Sequence, residues 1–552
     1  MLINHGEPVM SPEGAAALAA VYEAATDSCG VAAGTEDDVG YGDDGASGDP
    51  STGARPEIRM RADKLHETIM QTVVALAAGD PDLYQHGGML VHLAPTERSG
   101  APSIRAIPAA ALRERLARSA SFLKYLKKDE CWRPCEPPVE ITKGIHDRGN
   151  WPGIKRLVGI VTSPVMRVDG TVFDTHGYDA KTSLYYHRST AFPAVPESPT
   201  RADARAALAI LAAPFSQVPF ASQAHQSAAI SIILSGVCRS AIDGPVPGYV
   251  IEANTRAAGK SQLAACIGRI VAGEEPPAAT FSTDKNEQPK IILAELLEGK
   301  QIMWFDDVSG TIMGADLNRL LTAATFSGRL LGVSRILCFK VRQLILFTAN
   351  NAAVGRDVGR RLLLVRLNSP AEHPEDLDGF LIRNLRKYCS DHRPTLVVAA
   401  LTVIRAWYAA GQPDQALKSL GSFEEWTRVV RNAMVWAGWP DPLDTQVALR
   451  ADEAEDLAPL ACFHDALERM CSANDGAVTG QQIAAAANGK MYGLDEALSE
   501  LPGKPIDGPW KATAVGYRLR PHKDRVVDGR RLVTMLGKGR EGSRWKIQAV
   551  LP

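Results

Sequence analysis

The feature that most constrains the fold is the loop between a strand-like run at 248–251 and a helix-like stretch that begins at Gln262. The loop ends in Gly259-Lys260-Ser261, so a glycine, a cation and a hydroxyl stand where the helix starts. Backbone N–H groups and the helix dipole at such a place attract phosphate. In a loop of this kind Lys260 reaches the β- and γ-phosphates of ATP, and Ser261 ligates Mg²⁺.

The loop departs from the pattern G-x-x-x-x-G-K-[ST] at its first glycine, which is Asn254 here. Asn adopts left-handed backbone angles more readily than most residues. The turn is therefore still possible with Asn254, and we predict that Asn254, Gly259, Lys260 and Ser261 together bind the nucleotide. A chance turn between strand and helix is the alternative for this loop taken alone.

Two further apolar runs downstream also end in polar residues. The run at 301–307 ends in Asp306 and Asp307, and the run at 344–351 ends in Asn350 and a second Asn. Beside a phosphate loop, Asp306 can hold Mg²⁺ together with Ser261, and Asp307 can orient or activate water. Asn350 is placed to contact the γ-phosphate or the attacking water. Turn residues or a helix cap are the alternative for each site by itself.

The three strand ends are separated by 46 and 44 residues, counted from Lys260 to Asp306 and from Asp306 to Asn350. With the runs VSG, LTAATFSGRLLGVS, FTANN and GRRLLLVRL within 308–367, this compact spacing resembles superfamily 3 helicases, a branch of the AAA+ ATPases of viruses, phages and mobile elements. The resemblance covers about residues 225–370. It implies an α/β P-loop NTPase (AAA+-like) core in a homohexameric, ATP-driven DNA translocase. The chain departs from the family at Asn254 and at Asp307, where these proteins often carry Glu.

The resemblance also suggests roles for two basic features. An arginine before the last strand of the core reaches the neighbouring subunit's nucleotide in the family, which points to Arg361, with Arg360 as the alternative. A hairpin that grips DNA is expected at 332–342, with Arg335, Lys340 and Arg342 as its cations. A solvated strand flank and an ordinary hairpin with a charged outer face are the alternatives.

The last hundred residues contain helical patterns followed by a basic tail. Twelve Lys and Arg stand against four Asp and Glu between Gly503 and Lys546. The pattern resembles a winged-helix domain, in which a helix enters the major groove and a β-hairpin touches phosphate. A soluble basic face or a protein-docking wing is the alternative. The DNA contacts predicted here are Arg518, Arg520, Lys523, Arg525, Arg530 and Arg531.

These patterns divide the chain into five parts. An acidic, Gly-rich segment at 1–56, predicted to be mostly disordered, precedes an α+β accessory domain at 57–200. The ATPase with its helical lead-in follows at 201–370, then a helical region at 371–455 and the winged-helix-like domain at 456–552. A Cys131-Trp-Arg-Pro-Cys135 pair has no second pair at zinc spacing, so we predict a plain loop there rather than a metal site.

The nine cysteines are mostly single and set in apolar runs, which favours reduced thiols in a cytoplasm. We expect no secretory signal and no membrane partner. The prediction is a cytoplasmic Mg²⁺-dependent ATPase that unwinds single-stranded or forked DNA as a hexamer during replication of a phage or mobile element, with priming by a separate protein. An AAA+ switch or loader that does not unwind DNA, and a DNA-binding regulator with a decayed ATP site, are the alternatives.

Overall fold

The computed structural model describes residues 55–550 except 62, 97–99, 330–335, 351–353, 372, 447–456, 475, 503–505, 507 and 536–543. The segment at 1–54, which holds nearly all of the expected disordered part, lies outside the described residues. The chain divides into two compact units at Gln446 and Val447, and each is described by itself. Among the helices of the described residues, none combines the length and the apolar character needed to cross a bilayer.

The first unit begins with three helices and two small sheets. In chain order its elements are β1 (Glu57–Met60), α1 (Leu65–Gly79), β2 (Leu83–His86), β3 (Met89–Pro95), β4 (Pro102–Ala106), α2 (Ala109–Ser119), β5 (Ser121–Leu126), β6 (Cys131–Cys135) and α3 (Val139–His146). The strands β1, β5 and β6 form one sheet in the order β1-β5-β6, with β1 parallel and β6 antiparallel to β5. The predicted plain loop at Cys131–Cys135 is therefore wrong, because this segment pairs with β5 as a strand.

Short strands continue this region. They are β7 (Lys155–Arg156), β8 (Gly159–Val161), β9 (Val165–Met166), β10 (Val172–Phe173), β11 (Gly177–Asp179) and β12 (Leu184–Tyr186). β11 pairs antiparallel with β12, which pairs parallel with β8. β7 completes a sheet in the order β4-β3-β2-β7, and β9 and β10 form a hairpin. Gly170 lies in the turn of that hairpin with φ +79°, an angle that glycine adopts without steric cost.

Two helices lead into the central sheet: α4 (Arg201–Ala212) and α5 (Gln223–Val237). Thr200 and Asp203 form a reciprocal capping box that fixes the start of α4. The elements that follow are β13 (Gly248–Ala253), α6 (Lys260–Val271), β14 (Ala278–Ala279), α7 (Gln288–Glu298), β15 (Ile302–Val308), α8 (Ala315–Thr322), β16 (Thr325–Arg329), β17 (Ile336–Lys340), β18 (Leu344–Asn350), α9 (Arg356–Gly359) and β19 (Leu362–Leu367).

The central sheet is parallel, with the order β14-β15-β18-β13-β19. Most residues of β13, β18 and β19 are buried, which is why these strands read as continuous apolar runs in the sequence. Parallel strands place all their carboxyl ends at one edge of the sheet, where ligands of such folds bind. The chain is a mixed α/β protein, and the edge that carries the loop after β13 also carries the ends of β15 and β18.

The expected hairpin at 332–342 is correct in only one of its strands. β17 pairs antiparallel with β16, which precedes it in the chain, from Thr325 opposite Lys340 to Arg329 opposite Ile336. The first strand of the hairpin is thus Thr325–Arg329. Its buried Phe326 faces the buried Phe339 of β17, and this apolar pair holds the two strands together.

A helical layer follows the sheet. It contains α10 (Leu385–Asp391), α11 (Arg393–Ala409), α12 (Glu424–Trp426), a short π-helix at Thr427–Arg431 and α13 (Asn432–Trp436). The side chains of Phe423, Trp426, Val429 and Val430 are buried in the main core, as their helical spacing predicted. The Arg431 guanidinium is also buried, and it donates to both carboxylate oxygens of Asp441 at 2.9 and 2.6 Å.

The second unit has its own apolar core. Its elements are α14 (Ala458–Ser472), β20 (Val478–Thr479), α15 (Gly480–Asn488), α16 (Leu494–Glu500), α17 (Ala512–Leu519), β21 (Val526–Val527), β22 (Arg530–Met535) and β23 (Arg544–Ala549). The strands form one sheet in the order β20-β23-β22-β21. Phe463 of α14, Leu498 of α16 and Leu532 of β22 meet in the core, so helices and sheet stabilise one another.

Candidate nucleotide site

The loop after β13 turns through two residues with left-handed backbone angles. Gly259 has φ +93° and Ala257 has φ +57°, whereas Asn254 does not have a positive φ. The loop therefore turns without a left-handed angle at Asn254. Gly259 stands immediately before the first residue of α6, and its left-handed angle lets the chain bend sharply into the helix.

Asn254 ties the base of the loop to the end of the neighbouring strand. Its side-chain Nδ2 donates to Asn368 Oδ1 at 2.8 Å and to the Ser369 carbonyl at 3.1 Å. Its Oδ1 accepts from the Ser369 amide at 3.0 Å. Since Asn368 and Ser369 follow β19, the Asn254 amide fixes the loop by hydrogen bonds that glycine cannot make.

Lys260 begins α6, and its side chain is buried. Its Nζ donates to Asn350 Oδ1 at 2.6 Å, which joins the loop to the end of β18. Burial lowers the pKa of Lys260, and the negative charges of Asp307 and Asp306 act in the opposite direction. A buried cation whose described partner here is a neutral amide leaves charge available for a phosphate group.

The Asp306 carboxylate collects two hydroxyl groups. Ser261 Oγ donates to Asp306 Oδ1 at 3.0 Å, and Thr348 Oγ1 donates to the same oxygen. The Thr348 hydroxyl also accepts from the Asp307 amide at 3.1 Å and from Trp304 Nε1 at 3.3 Å. Sequence reasoning missed Thr348. It stands two residues before Asn350 on the same face of β18, and that period-two spacing is the signal that could have found it.

Asp307 adopts a left-handed angle, φ +47°, at an irregularity in the register of β15. This bend turns an exposed carboxylate toward Asn350, whose Nδ2 donates to Asp307 Oδ1 at 3.2 Å. A non-glycine residue in this conformation is strained and persists where its surroundings hold it. The hydrogen bond from the Asp307 amide to Thr348 provides that support.

These side chains surround one open cavity of about 540 Å³. The structure thus brings Lys260, Ser261, Asp306, Asp307 and Asn350 together, as predicted, and adds two residues that sequence reasoning missed. Its lining consists of Arg256, Ala257, Lys260, Ser261, Asp306, Asp307, Thr348 and Asn350. The second missed residue, Arg256, is an exposed cation inside the loop itself. Its place between Asn254 and Gly259 was the available signal.

Neither predicted finger arginine is among the described residues that line this cavity. Arg361 is half-buried and donates to Asn318 Oδ1 and to the Asp357 carbonyl of its own chain. Burial and the adjacent charge of Arg360 lower the pKa of Arg361. The Arg360 side chain is 67% exposed, and its Nη2 lies 4.0 Å from an Asp357 carboxylate oxygen.

The three hairpin cations have different surroundings. Arg335 lies outside the described residues, and Lys340 is exposed at the end of β17. Arg342 is half-buried and donates through Nη1 to the Ile242 carbonyl at 2.6 Å. Burial lowers the pKa of Arg342. Its guanidinium is therefore directed into the protein, which removes it from the exposed set that could track DNA.

Some basic residues of the second unit are exposed, and others are hydrogen-bonded or ion-paired within their own unit. Arg520 and Lys523 are exposed, and Arg525 is half-buried. Arg518 is buried in α17 and donates to the Leu501 carbonyl, so its predicted role as a DNA contact is contradicted by its position. Arg530 and Arg531 are occupied by side chains of their own unit. Arg530 Nη1 lies 2.7 Å from Asp465 and 2.9 Å from Glu468, and Arg531 Nη2 donates to Gln548 at 3.2 Å.

The donor set of the cavity fits a magnesium nucleotide. Mg²⁺ prefers one or two protein oxygen ligands and completes its shell with phosphate oxygens and water. The Ser261 hydroxyl and the Asp306 carboxylate, 3.0 Å apart, provide such a pair. The start of α6, a helix of twelve residues, directs free N–H groups to the same cavity, where they can bind phosphate.

Comparison with known proteins gives a low structural likeness and no sequence relatives. No family model and no curated protein matches the chain. The apo C-terminal region of NrS-1 (305–718) is 11% identical with a TM-score of 0.35, over 88% of this chain and 99% of that one. JCV helicase is 14% identical with a TM-score of 0.21, over 43% of this chain and 67% of that one.

Proposed function

We propose that this chain is an ATP-hydrolysing motor that forms a ring and translocates on DNA. One observation supports this proposal most strongly. A buried lysine at a helix start, a hydroxyl–carboxylate pair and a carboxylate–amide pair meet at the carboxyl edge of a parallel sheet. These are the groups that phosphoryl transfer requires, since its catalysis consists of positioning and charge stabilisation.

Nucleotide binding follows from the loop and the first turn of α6. The N–H groups at the helix start hold the β-phosphate, and Lys260 neutralises the charge on the β- and γ-phosphate oxygens. Ser261 and Asp306 would hold Mg²⁺, which supplies further neutralisation of the charge that develops on the leaving group. Thr348 holds the Asp306 carboxylate in position through its hydroxyl.

Hydrolysis requires a water molecule in line with the γ-phosphorus. Asp307 and Asn350 are joined at 3.2 Å, and both line the cavity, so they can orient that water between them. The water oxygen forms a bond to the γ-phosphorus, and the bond to the β–γ bridging oxygen breaks. ADP and inorganic phosphate leave, and Asp307 accepts the proton of the water.

Exposed cations support the parts of the proposal that concern DNA and the ring. Arg360 is exposed two residues before β19, where a cation can stabilise the transition state of a neighbouring subunit. Lys340 on the hairpin, with Arg520 and Lys523 of the second unit, remain exposed for contact with phosphate. In this proposal 201–370 is the motor, 57–200 an accessory domain and 456–552 a DNA-binding domain.

The decisive experiment is ATP hydrolysis by the purified chain with and without single-stranded DNA, beside Lys260→Ala. DNA-stimulated turnover that is lost in the variant supports the motor. A forked duplex then separates two alternatives, because a loader hydrolyses ATP and leaves the fork paired. Absence of turnover in the wild-type chain, with DNA binding retained, would favour a regulator with a decayed site. Lys285→Ala, at an exposed lysine that does not line the cavity, is the matched control.

A further inference from the structure

The sheet β1-β5-β6 has one face in the core and one face turned outward. Ile58 and Phe122 are opposite one another in register and pack in the core with helices α2 and α3. Because side chains alternate along a strand, Arg59, Leu123 and Tyr125 lie on the other face. On β6, Trp132 is opposite Tyr125 and therefore shares that outer face.

The outer face presents two aromatic rings and a guanidinium in contact. Tyr125 and Trp132 have ring centroids 5.4 Å apart with planes inclined by 62°, an edge-to-face arrangement. The Arg59 guanidinium lies over the Trp132 ring, 5.6 Å from its centroid. Tyr125 is 42% exposed although it is a large aromatic side chain on a sheet. The pair is thus held in place by its neighbours and open to solvent.

Cations outnumber carboxylates in the two chain segments that carry these rings and Arg59. The segments 55–61 and 121–135 contain seven Lys and Arg against three Asp and Glu. Lys124 and Arg133 are opposite one another in register and lie on the face of Phe122, away from the rings. Arg59 forms an ion pair with Glu57 at 3.8 Å, whereas in the part of the chain that the structure describes no ion pair involves Lys127 or Lys128. Asp129 and Glu130 share the turn that joins the two aromatic strands, in which Lys127 and Lys128 are both exposed. The charges of these two lysines are available to an anionic partner.

We propose that this face binds single-stranded nucleic acid, with bases stacked on Tyr125 and Trp132 and phosphates beside Arg59, Lys127 and Lys128. Exposed aromatic rings offer a stacking surface to any base, and adjacent cations attract the backbone, which together define a sequence-tolerant single-strand site. A protein partner would also use tyrosine, tryptophan and arginine. The excess of cations over carboxylates in these two segments, with Lys127 and Lys128 in no ion pair among the described residues, favours the polyanion. The site is separate from the nucleotide cavity and does not depend on hydrolysis.

The test is photochemical cross-linking of the full chain to a single-stranded oligodeoxynucleotide that contains 5-iodouracil, with adducts located by mass spectrometry. We expect adducts on Tyr125 or Trp132. Tyr125→Ala should lower the adduct yield at Trp132 by about five-fold or more, and Trp132→Ala should do the same at Tyr125. Tyr125→Phe, which keeps the ring, should retain the adduct. Phe380→Ala removes a 43% exposed aromatic side chain elsewhere in this unit and is the matched control.

Adducts confined to other parts of the chain, or yields unchanged in both alanine variants, would overturn the proposal. Unchanged adducts elsewhere together with a change of mass in light scattering for Tyr125→Ala would assign the face to contacts between copies of the chain instead. The same cross-linking on Lys260→Ala separates this proposal from the motor. If hydrolysis is lost in this variant and the adduct at Tyr125 or Trp132 is retained, nucleic-acid binding at the aromatic face does not depend on the nucleotide cavity.

Discussion

Lys260 Nζ donates a 2.6 Å hydrogen bond to Asn350 Oδ1 and so joins the helix start after β13 to the end of the adjacent strand β18. The same Asn350 amide donates to Asp307. One side chain therefore connects Lys260, the cation proposed to bind phosphate, to the exposed carboxylate of Asp307. A γ-phosphate that draws Lys260 away would release the Asn350 oxygen, so nucleotide occupancy can be transmitted to Asp307 through this amide.

Asn350→Ala removes both hydrogen bonds at once. We expect kcat for ATP hydrolysis to fall by about 10²-fold, because removal of one polar group that acts in the transition state has an effect of this size. The KM for ATP should change by only a few-fold, since the loop and Lys260 remain. Steady-state kinetics measure the two constants separately. Asn286→Ala, at an exposed asparagine that does not line the cavity, should leave both constants unchanged. A normal kcat in Asn350→Ala would exclude the proposed role.

Thr348→Val replaces the buried hydroxyl with a methyl group of similar size. The Asp307 amide and Trp304 Nε1 then lose their acceptor, and an unsatisfied buried donor costs about 1–3 kcal/mol. We expect the free energy of unfolding to decrease by an amount in this range and turnover to fall, because Asp306 and Asp307 lose their common support. Urea denaturation and ATPase assays measure the two effects. Thr348→Ser keeps the hydroxyl and should retain turnover. Equal losses in both variants would assign the effect to packing.

The sequence predicted the cavity well because its logic is local. Polar residues at the ends of apolar runs meet wherever parallel strands share an edge, and this brought Lys260, Asp306 and Asn350 together in the prediction. The order of the strands could not be predicted in this way, since it depends on tertiary packing. Thr348 was missed because a threonine inside an apolar strand has the same pattern as a core residue.

Sequence patterns predicted the positions of the basic side chains less well than they predicted the residues of the cavity. A cation counts toward a charge pattern whether its side chain is exposed or buried. Arg518 and Arg342 were counted as DNA contacts, and both donate to backbone carbonyls inside the protein. Long cationic side chains bury their stems and select their partners in the folded state, so their direction cannot be read from spacing. Only the structure separates Lys340, Arg520 and Lys523 as exposed cations.

Low pH should destabilise the second unit because His464 is protonated more readily in the unfolded chain. This side chain is buried in α14, and burial with the nearby charge of Arg530 lowers its pKa to about 4. Between pH 6.5 and about 4 the unfolded chain binds a proton that the folded chain does not, so stability falls as pH falls. The loss is on the order of 3 kcal/mol from the size of the shift.

Hydrogen exchange of residues 458–472 at pH 7 and pH 4.5 measures this effect. Protection should decrease at the lower pH in the wild-type chain, and His464→Leu should reduce that decrease. His522 is also buried, burial lowers its pKa, and it contributes to the acid response in the same direction. A pH dependence that is unchanged in His464→Leu would show that other groups control the acid response.

We expect alanine variants of Arg360 and Arg361 to differ in their effects on Tm and turnover. Arg361→Ala leaves Asn318 and the Asp357 carbonyl without their donor, and we expect a lower Tm from a loss of about 1–3 kcal/mol. Arg360→Ala removes an exposed side chain and should leave the Tm unchanged. If Arg360 reaches a neighbouring subunit's nucleotide, its loss lowers turnover by about 10³-fold or more with ATP binding retained. Thermal unfolding, nucleotide binding and turnover of both variants decide the matter. Full turnover in Arg360→Ala would exclude it as the finger.

Asn254→Gly restores the glycine that phosphate-binding loops usually carry at this place, and we expect it to weaken the site. Asn254 has no left-handed angle for glycine to relieve, and its amide makes three hydrogen bonds to Asn368 and Ser369. These hydrogen bonds are lost at a partly exposed position, and glycine has greater conformational freedom in the unfolded chain. Together the two effects should lower the free energy of unfolding by about 1–2 kcal/mol. Thermal unfolding and ATP affinity should both decrease. Asn254→Asp keeps the acceptor for the Ser369 amide but sets a carboxylate oxygen against Asn368 Oδ1 and the Ser369 carbonyl, so it should show a loss at least as large. A higher Tm or faster turnover in Asn254→Gly would show that the turn, rather than the tie to β19, governs this position.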